Sequence, residues 1–180
     1  MPSGCFDLLS RYLIPRQAWT DYQPRVAEMA PMREILAVTV HHSGFPEGFC
    51  LIEKSAAAEN LRHILAFHTA PPPTGRGWAD VGYHFAIDPA GRIWELRSLN
   101  FQGAHVKNHN AGNIGVVCLG NFDIHPLPDA QLSALRQVLR GIEERFGKVR
   151  MAGHREIADE ATSCPGRHLM HMLWSIRHQD

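Results

Sequence analysis

The chain contains 180 residues, of which 44% are hydrophobic and 20% charged, and its 18 basic side chains balance 18 acidic ones. This length and composition are ordinary for one soluble globular domain with its own core. The balanced charge gives no support to a nucleic-acid-binding protein, and no run approaches the roughly 20 apolar residues that span a membrane.

The N-terminal sequence, MPSGCFDLLSRYLIPRQAW, lacks the pattern of a signal peptide. Its apolar run is short, and Asp7, Arg11 and Pro15 interrupt it. We predict an N-terminal extension over residues 1–13 and a single domain over residues 14–180. We also predict synthesis in the cytoplasm, so that any action outside the membrane requires export or lysis.

Taken in chain order, the hydrophobic pattern predicts three helices and a set of strands that one sheet can hold. The clearest element is an amphipathic helix over 128–147, where Gly147 suits the C-terminal cap. The alternation of strands and helices predicts an α/β fold with a single mixed central β-sheet flanked by helices. The other predicted elements are a strand over 35–41, a helix over 55–68, a hairpin within 81–98, strands over 113–120 and 148–153, and a helix over about 166–177.

The four cysteines, Cys5, Cys50, Cys118 and Cys164, form no CxxC motif and no close pair. This spacing argues against a zinc finger or a thioredoxin-like redox site. A chain of this length does not need disulfide bonds for stability. We therefore expect reduced cysteines, with at least three of the four in or near the core.

Two residues of the late segment RMAGHREIADEATSCPG are candidate metal ligands. His154 follows a short β-like run and Cys164 precedes a Pro-Gly turn. Imidazoles and thiolates are zinc ligands, and a catalytic zinc uses three protein ligands and leaves one position for water. The third candidate is His41 or His42 at the end of the strand VTVHH. Successive strand residues face opposite ways, and parity alone does not choose between these two.

Four segments together resemble a known family. They are VTVHHSG, GRGWADVGYHFAIDPAGRIWELRS, FQGAHVKNHNAGNIGVVCLGNF and AGHREIADEATSCPG, which lie in this order along the chain. The chain resembles the type-2 N-acetylmuramoyl-L-alanine amidases, a group that includes animal peptidoglycan recognition proteins and phage lysozyme-like amidases. The resemblance covers roughly residues 14–175. It implies a peptidoglycan substrate and Zn²⁺ as the cofactor.

The resemblance also implies roles for individual residues. His41, His154 and Cys164 match the zinc ligands of the family, and Tyr83 and Thr162 match catalytic positions. The implied reaction is hydrolysis of the amide that joins the muramic lactyl group to the first L-alanine of the stem peptide. Zinc in such a site polarises a carbonyl and lowers the pKa of a bound water towards ~7.

Four further residues are candidate substrate contacts. Trp78 stands beside a Gly-rich loop and is a candidate for the wall of a groove, and His105 resembles a family position near the glycan–peptide. His68 shares the apolar face of its predicted helix. Asn113 lies in the same segment as His105, although organisation of the local backbone is its favoured role. Trp94, by contrast, is expected in the core.

Two other functions stay open at this point. Some members of the family bind peptidoglycan without cutting it, and these typically lack the cysteine ligand. A closed structural metal site would need a fourth protein ligand, for which His42 and His168 are the candidates. The biological setting is also open between a phage lysis enzyme, a wall-recycling enzyme and a secreted toxin, and the last would require an immunity protein as a partner.

Overall fold

The computed structural model describes residues 12–46 and 48–178 and contains one mixed sheet flanked by helices. The predicted fold class is therefore confirmed. The strands are β1 (Leu13–Ile14), β2 (Ala37–His42), β3 (Phe85–Ile87), β4 (Ile93–Glu95), β5 (Asn113–Cys118) and β6 (Arg150–Gly153), and the helices are α1 (Lys54–Thr69), α2 (Asp129–Phe146) and α3 (Arg167–His178).

The six strands lie in the order β1-β4-β3-β5-β2-β6. Strand β2 is parallel to both of its neighbours, β5 and β6, whereas β3 and β4 form the predicted antiparallel hairpin. In the hairpin turn, the Asp88 carboxylate accepts hydrogen bonds from the backbone N–H groups of Ala90 and Arg92. Strand β1 was not predicted, because two residues are too few to show an alternating pattern.

Each face of the sheet carries its own apolar core. Val38 and Val40 of β2 are fully buried and pack in the cluster that contains Leu135 of α2 and Leu173 of α3. The opposite face packs against α1, and its cluster contains Leu61 of α1 and, as predicted, Trp94. Because strand residues alternate between faces, Thr39 and His41 lie on the α1 side of the sheet.

The segment before β2 is attached to the outer strands of the sheet. The Trp19 side chain is 2% exposed, and its Nε1 donates a hydrogen bond to the Glu95 carbonyl. Arg16 forms an ion pair of 2.7 Å with the buried Asp80. Leu13, which the sequence assigned to an N-terminal extension, pairs with Ile93 in the sheet. Residues 1–11 lie outside the described part of the chain, so the division at residue 14 stays a prediction.

The cysteines differ in environment. Cys118 is buried in the core as predicted, whereas Cys50 is exposed because it lies in a short 3-10 turn at the surface. Cys164 is half-buried at the site described below, and Cys5 lies outside the described residues. The three described cysteines are free thiols. Cys50 is the one exception that the prediction of at least three cysteines in or near the core allows, and because Cys5 is not described that prediction stays untested. No described helix is long and apolar enough to span a membrane.

Candidate active site

The register of two parallel strands brings the candidate metal ligands together. Val40 of β2 lies opposite Gly153 of β6, so His41, which is still in β2, and His154, which directly follows β6, lie side by side. Their ring centroids are 4.5 Å apart. Cys164 approaches from the loop after β6, and one ligand atom from each of the three residues lies within 4.8 Å of the others.

Local hydrogen bonds hold the loop that carries Cys164. Its backbone N–H donates to Thr162 Oγ1 at 3.2 Å, and its carbonyl accepts from the Arg155 N–H at 2.9 Å. The strand end beside the loop is Gly153, where a Cβ atom would overlap Met170 Sδ. Glycine at this position therefore permits the close approach of α3 to β6, and also that of Pro165 in the loop, whose Cδ would lie 3.0 Å from the added atom.

The geometry fits a zinc ion. His41 Nδ1 and Cys164 Sγ are 3.6 Å apart, which is about the N···S separation that tetrahedral zinc imposes at its usual bond lengths. Burial lowers the pKa of His41, which keeps its imidazole neutral as a ligand must be. Burial also raises the pKa of the Cys164 thiol to about 12, so a bound cation would have to displace its proton.

The structure decides between the adjacent histidines. His41 faces the site, whereas the His42 ring faces the opposite side, where its Nδ1 accepts a hydrogen bond from the Phe122 N–H. Within residues 12–46 and 48–178, the one group of three or more potential metal ligands is His41, His154 and Cys164. Neither His42 nor His168 belongs to it, which leaves a tetrahedral ion open to a non-protein ligand.

Tyr83 lies next to these residues. Its ring centroid is 5.1 Å from that of His41. Burial, together with the nearby Cys164, raises the pKa of Tyr83 well above its ordinary value of 10. The phenol therefore stays protonated at neutral and moderately alkaline pH and can donate a hydrogen bond to a developing negative charge.

A cleft of about 540 Å³ opens beside the candidate metal centre. Its walls come from the loop before β5 and from the loop after β6, and an ion pair and a hydrogen bond connect these loops at the surface. Lys107 contacts Glu160 at 2.7 Å, and His109 contacts Asp159 at 2.9 Å. The lining also includes Arg76, Trp78, His105, His154 and Thr162.

Comparisons with known proteins show the family of this chain. The family model described as N-acetylmuramoyl-L-alanine amidase matches residues 31–167. The chain belongs to this amidase family. It is 33% identical over 141 residues to peptidoglycan-recognition protein SC2 of Drosophila simulans, which covers 76% of this chain and 72% of that protein.

Two further relatives extend the comparison within the amidase family. The chain is 32% identical over 138 residues to the N-acetylmuramoyl-L-alanine amidase of Sus scrofa, which covers 74% of this chain but 22% of the pig protein. A solved structure of a mutant of Drosophila PGRP-LB in complex with tracheal cytotoxin superposes with a TM-score of 0.80. That structure is 26% identical, and the match covers 93% of this chain and 96% of the other.

The residues that the amidase resemblance nominated as substrate contacts occupy different places. Trp78 lines the cleft, and its ring centroid lies 4.7 Å from that of His68, with the two ring planes tilted by 40°. His68 itself does not line the cleft, because it is 7% exposed and packs between Trp78 and Tyr83. Its Nδ1 accepts a hydrogen bond from the Gly82 N–H. Burial lowers the pKa of His68 to about 4.

Asn113 and His105 are more deeply integrated in the fold than a substrate contact requires. Asn113 is 2% exposed and does not line the cleft. Its side-chain oxygen accepts from the Thr39 hydroxyl, and its amide donates to the His109 carbonyl. His105 is 9% exposed, touches the cleft with one edge and lies 3.0 Å from His41. Burial lowers the pKa of His105 to about 3, so its ring is neutral.

Arg76 is a residue of the cleft that the sequence interpretation missed. Its guanidinium lies over the rings of Phe67 and Trp78, at 5.4 and 5.9 Å from their centroids. Among the described residues, none forms an ion pair or a hydrogen bond with this guanidinium. The signal in the sequence was the basic residue within the Gly-rich run GRGW next to Trp78.

Proposed function

We propose that the protein is a zinc-dependent hydrolase that cleaves the amide between N-acetylmuramic acid and L-alanine in peptidoglycan stem peptides. One observation carries the proposal: two imidazoles and a thiol converge within 4.8 Å beside an open cleft. Membership of the amidase family supports peptidoglycan as the substrate. The cysteine supports hydrolysis over binding alone, because members that only bind typically lack it. His41, His154 and Cys164 would hold the ion.

Zinc, when bound, supplies Lewis acidity to a substrate carbonyl and a nucleophilic water at neutral pH. The chain itself supplies orientation and hydrogen bonds. Tyr83 is a protonated phenol beside the metal ligands, and it would donate to the carbonyl oxygen as negative charge develops there. The Thr162 hydroxyl accepts from the Cys164 N–H, so its own proton is available to a substrate atom in the cleft.

The cleft has groups suited to a glycan that carries a peptide. Trp78 offers an aromatic face to a sugar or an alkyl chain, and Arg76 offers N–H donors to a carboxylate. Solved relatives have been obtained in complex with tracheal cytotoxin and a muramyl pentapeptide. We infer that peptidoglycan fragments bind in the cleft of this chain, with the scissile amide next to His154.

The test is digestion of defined muropeptides followed by mass spectrometry. The wild-type protein with one equivalent of zinc should release free stem peptides that begin with L-alanine, and a chelator should abolish the release. Cys164→Ser removes the one sulfur ligand and should lower zinc affinity and hydrolysis together. Cys50→Ser is the matched control, because Cys50 is an exposed thiol outside the site.

The result also separates an enzyme from a binding module. If zinc-loaded protein binds sacculi but releases no peptide from them, the chain is a recognition module and the hydrolase proposal is wrong. The same digest, made with stem peptides that carry diaminopimelate or lysine at the third position, would define the preferred substrate. Access to the wall through export or lysis, and an immunity protein, stay predictions.

A further inference from the structure

His105 connects the candidate metal ligand His41 to the backbone of β5. His105 Nδ1 lies 3.0 Å from His41 Nε2, and His105 Nε2 lies 3.1 Å from the Asn113 carbonyl oxygen. The rings of His41 and His105 are nearly perpendicular, with centroids 5.1 Å apart. The two contacts form an unbroken chain from a main-chain carbonyl to the imidazole that faces Cys164.

The Asn113 carbonyl at the end of these two hydrogen bonds sets the direction in which each of them is donated. A carbonyl oxygen can only accept, so the proton between His105 and Asn113 belongs to His105 Nε2. A neutral imidazole carries one proton, which leaves His105 Nδ1 as an acceptor. The proton of the second contact therefore belongs to His41 Nε2. His41 Nδ1, which faces Cys164 at 3.6 Å, then has its lone pair available.

The surroundings of His105 hold its ring in this position. A Cβ atom at Gly103 would overlap the ring, and one at Gly115 would lie 2.6 Å from Cδ2, so glycine at both positions makes room for the imidazole. The Asn110 side chain accepts from the backbone N–H of His105 at 2.9 Å. The Asn113 side chain is bonded on both sides, which fixes the acceptor carbonyl as well.

We propose that His105 is a positioning residue that holds His41 in its Nε2–H tautomer, with the Nδ1 lone pair directed at the metal position. The sequence had placed His105 near the bound substrate. The inference rests on the metal centre of the proposed function, but not on hydrolysis. Partners of this kind orient metal-binding histidines, and their loss typically lowers metal affinity about 10- to 100-fold.

A pair of substitutions of nearly equal size tests the proposal. His105→Leu removes the acceptor for His41 Nε2–H, whereas His105→Asn keeps an oxygen close to the position of Nδ1. We expect zinc affinity, measured by competition with a chromophoric chelator, to fall about 10- to 100-fold in His105→Leu. We expect His105→Asn to stay within a few-fold of the wild type. Equal affinities for the wild type and His105→Leu would overturn the proposal.

His84 provides the control for a general effect on folding. It is a fully buried histidine beside His105, and its Nδ1 accepts a hydrogen bond from the Gly115 N–H. His84→Leu should lower the melting temperature of the zinc-free protein as His105→Leu does, while leaving zinc affinity within a few-fold of the wild type. If both variants weaken zinc binding in proportion to their lost stability, His105 is only a packing residue and the proposal is wrong.

A measurement on the zinc-free protein tests which residue donates in the hydrogen bond between His41 and His105. Nitrogen-15 NMR of the imidazoles should place the shared proton on His41 Nε2, with a coupling across the hydrogen bond to His105 Nδ1. A proton on His105 Nδ1 would overturn the proposal. Tight zinc binding without hydrolysis would refute the proposed function alone, whereas a wild-type protein that binds no zinc would refute both.

Discussion

Val40 of β2 lies opposite Gly153 of β6, and this pairing sets the geometry of the candidate metal centre. The strands are parallel, so the residues that follow this pair, His41 and His154, lie next to each other at the carboxyl end of β6. A shift of the register by one residue would separate His41 from His154 by a further strand step of about 3.3 Å. The metal site is therefore encoded in the packing of β2 and β6 as much as in its ligands.

The close approach at Gly153 leads to the first prediction. Gly153→Ala introduces a methyl group that overlaps Met170 Sδ and lies 3.0 Å from Pro165 Cδ. We expect a loss of about 1–3 kcal/mol in the free energy of unfolding, together with weaker zinc binding, because the Cys164 loop must shift. Urea unfolding and zinc competition measure the two effects.

A second substitution separates this clash from other effects at Gly153. Met170→Ala in the Gly153→Ala background removes the thioether that the new methyl group meets, so zinc affinity should recover in part. If Gly153→Ala binds zinc as the wild type does, the loop is not held by this contact and the explanation fails.

Tyr83→Phe tests the role of the phenol. The ring and its packing against His41 are kept, while the hydroxyl that would stabilise the oxyanion is lost. We expect kcat to fall about 10²- to 10³-fold on a muramyl peptide, with zinc affinity unchanged. A variant with normal kcat, or one that loses zinc, would show that Tyr83 does not act as a hydrogen-bond donor in the reaction.

The sequence predicted most of the fold because burial on one or two faces leaves a readable pattern. The strand before His41 and the apolar stripe of α2 are examples. The burial of Trp94 in the core was predicted from the size of its side chain alone. The choice between His41 and His42 could not be made in this way. It depends on which face of β2 meets α1, and the pattern of a strand buried on both faces does not contain that information.

The hydrogen-bond partners of the other polar residues were beyond the sequence for a related reason, although the sequence favoured a backbone role for Asn113 and placed His68 on an apolar helix face. His68, His105 and Asn113 look like surface residues by type, yet each is less than 10% exposed. Each is stabilised by hydrogen bonds to residues between 4 and 74 positions away along the chain. Such partners become visible only when the strands are paired.

Arg76 gives a prediction about substrate affinity. Its guanidinium is held over two aromatic rings and directs donors at the cleft, where a carboxylate of the stem peptide could accept them. Arg76→Gln should raise KM roughly 10-fold, which corresponds to the free energy of one hydrogen bond to a charged group. It should leave kcat within a few-fold of the wild type.

A stem peptide whose carboxylates are amidated provides the control substrate for the Arg76→Gln experiment. With the amidated substrate, the difference in KM between the wild type and Arg76→Gln should largely disappear. Arg33→Gln, an exposed arginine outside the cleft, controls for the change in net charge. An equal effect of both substitutions on KM would assign the change to long-range attraction and not to a contact of Arg76.

The buried histidines predict how stability depends on pH. Burial lowers the pKa of His84 to about 4 from its ordinary value of 6.5. Between these values the unfolded chain binds a proton that the folded protein does not, so stability is lost as pH falls from about 6.5 towards 4. Above pH 6.5 this group has no effect. At pH 5 the expected loss from His84 is about 2 kcal/mol.

Urea unfolding at pH 7.5 and pH 5, with a chelator present to remove the contribution of metal, measures this loss. His84→Asn should be less stable than the wild type at pH 7.5 but should lose less on acidification, since one of the groups that take up protons on unfolding is gone. His63→Asn is the control, because the side chain of His63 is 72% exposed. A pH dependence unchanged by His84→Asn would show that the His84 pKa is not lowered by burial, and would place the acid sensitivity of the fold at other buried histidines.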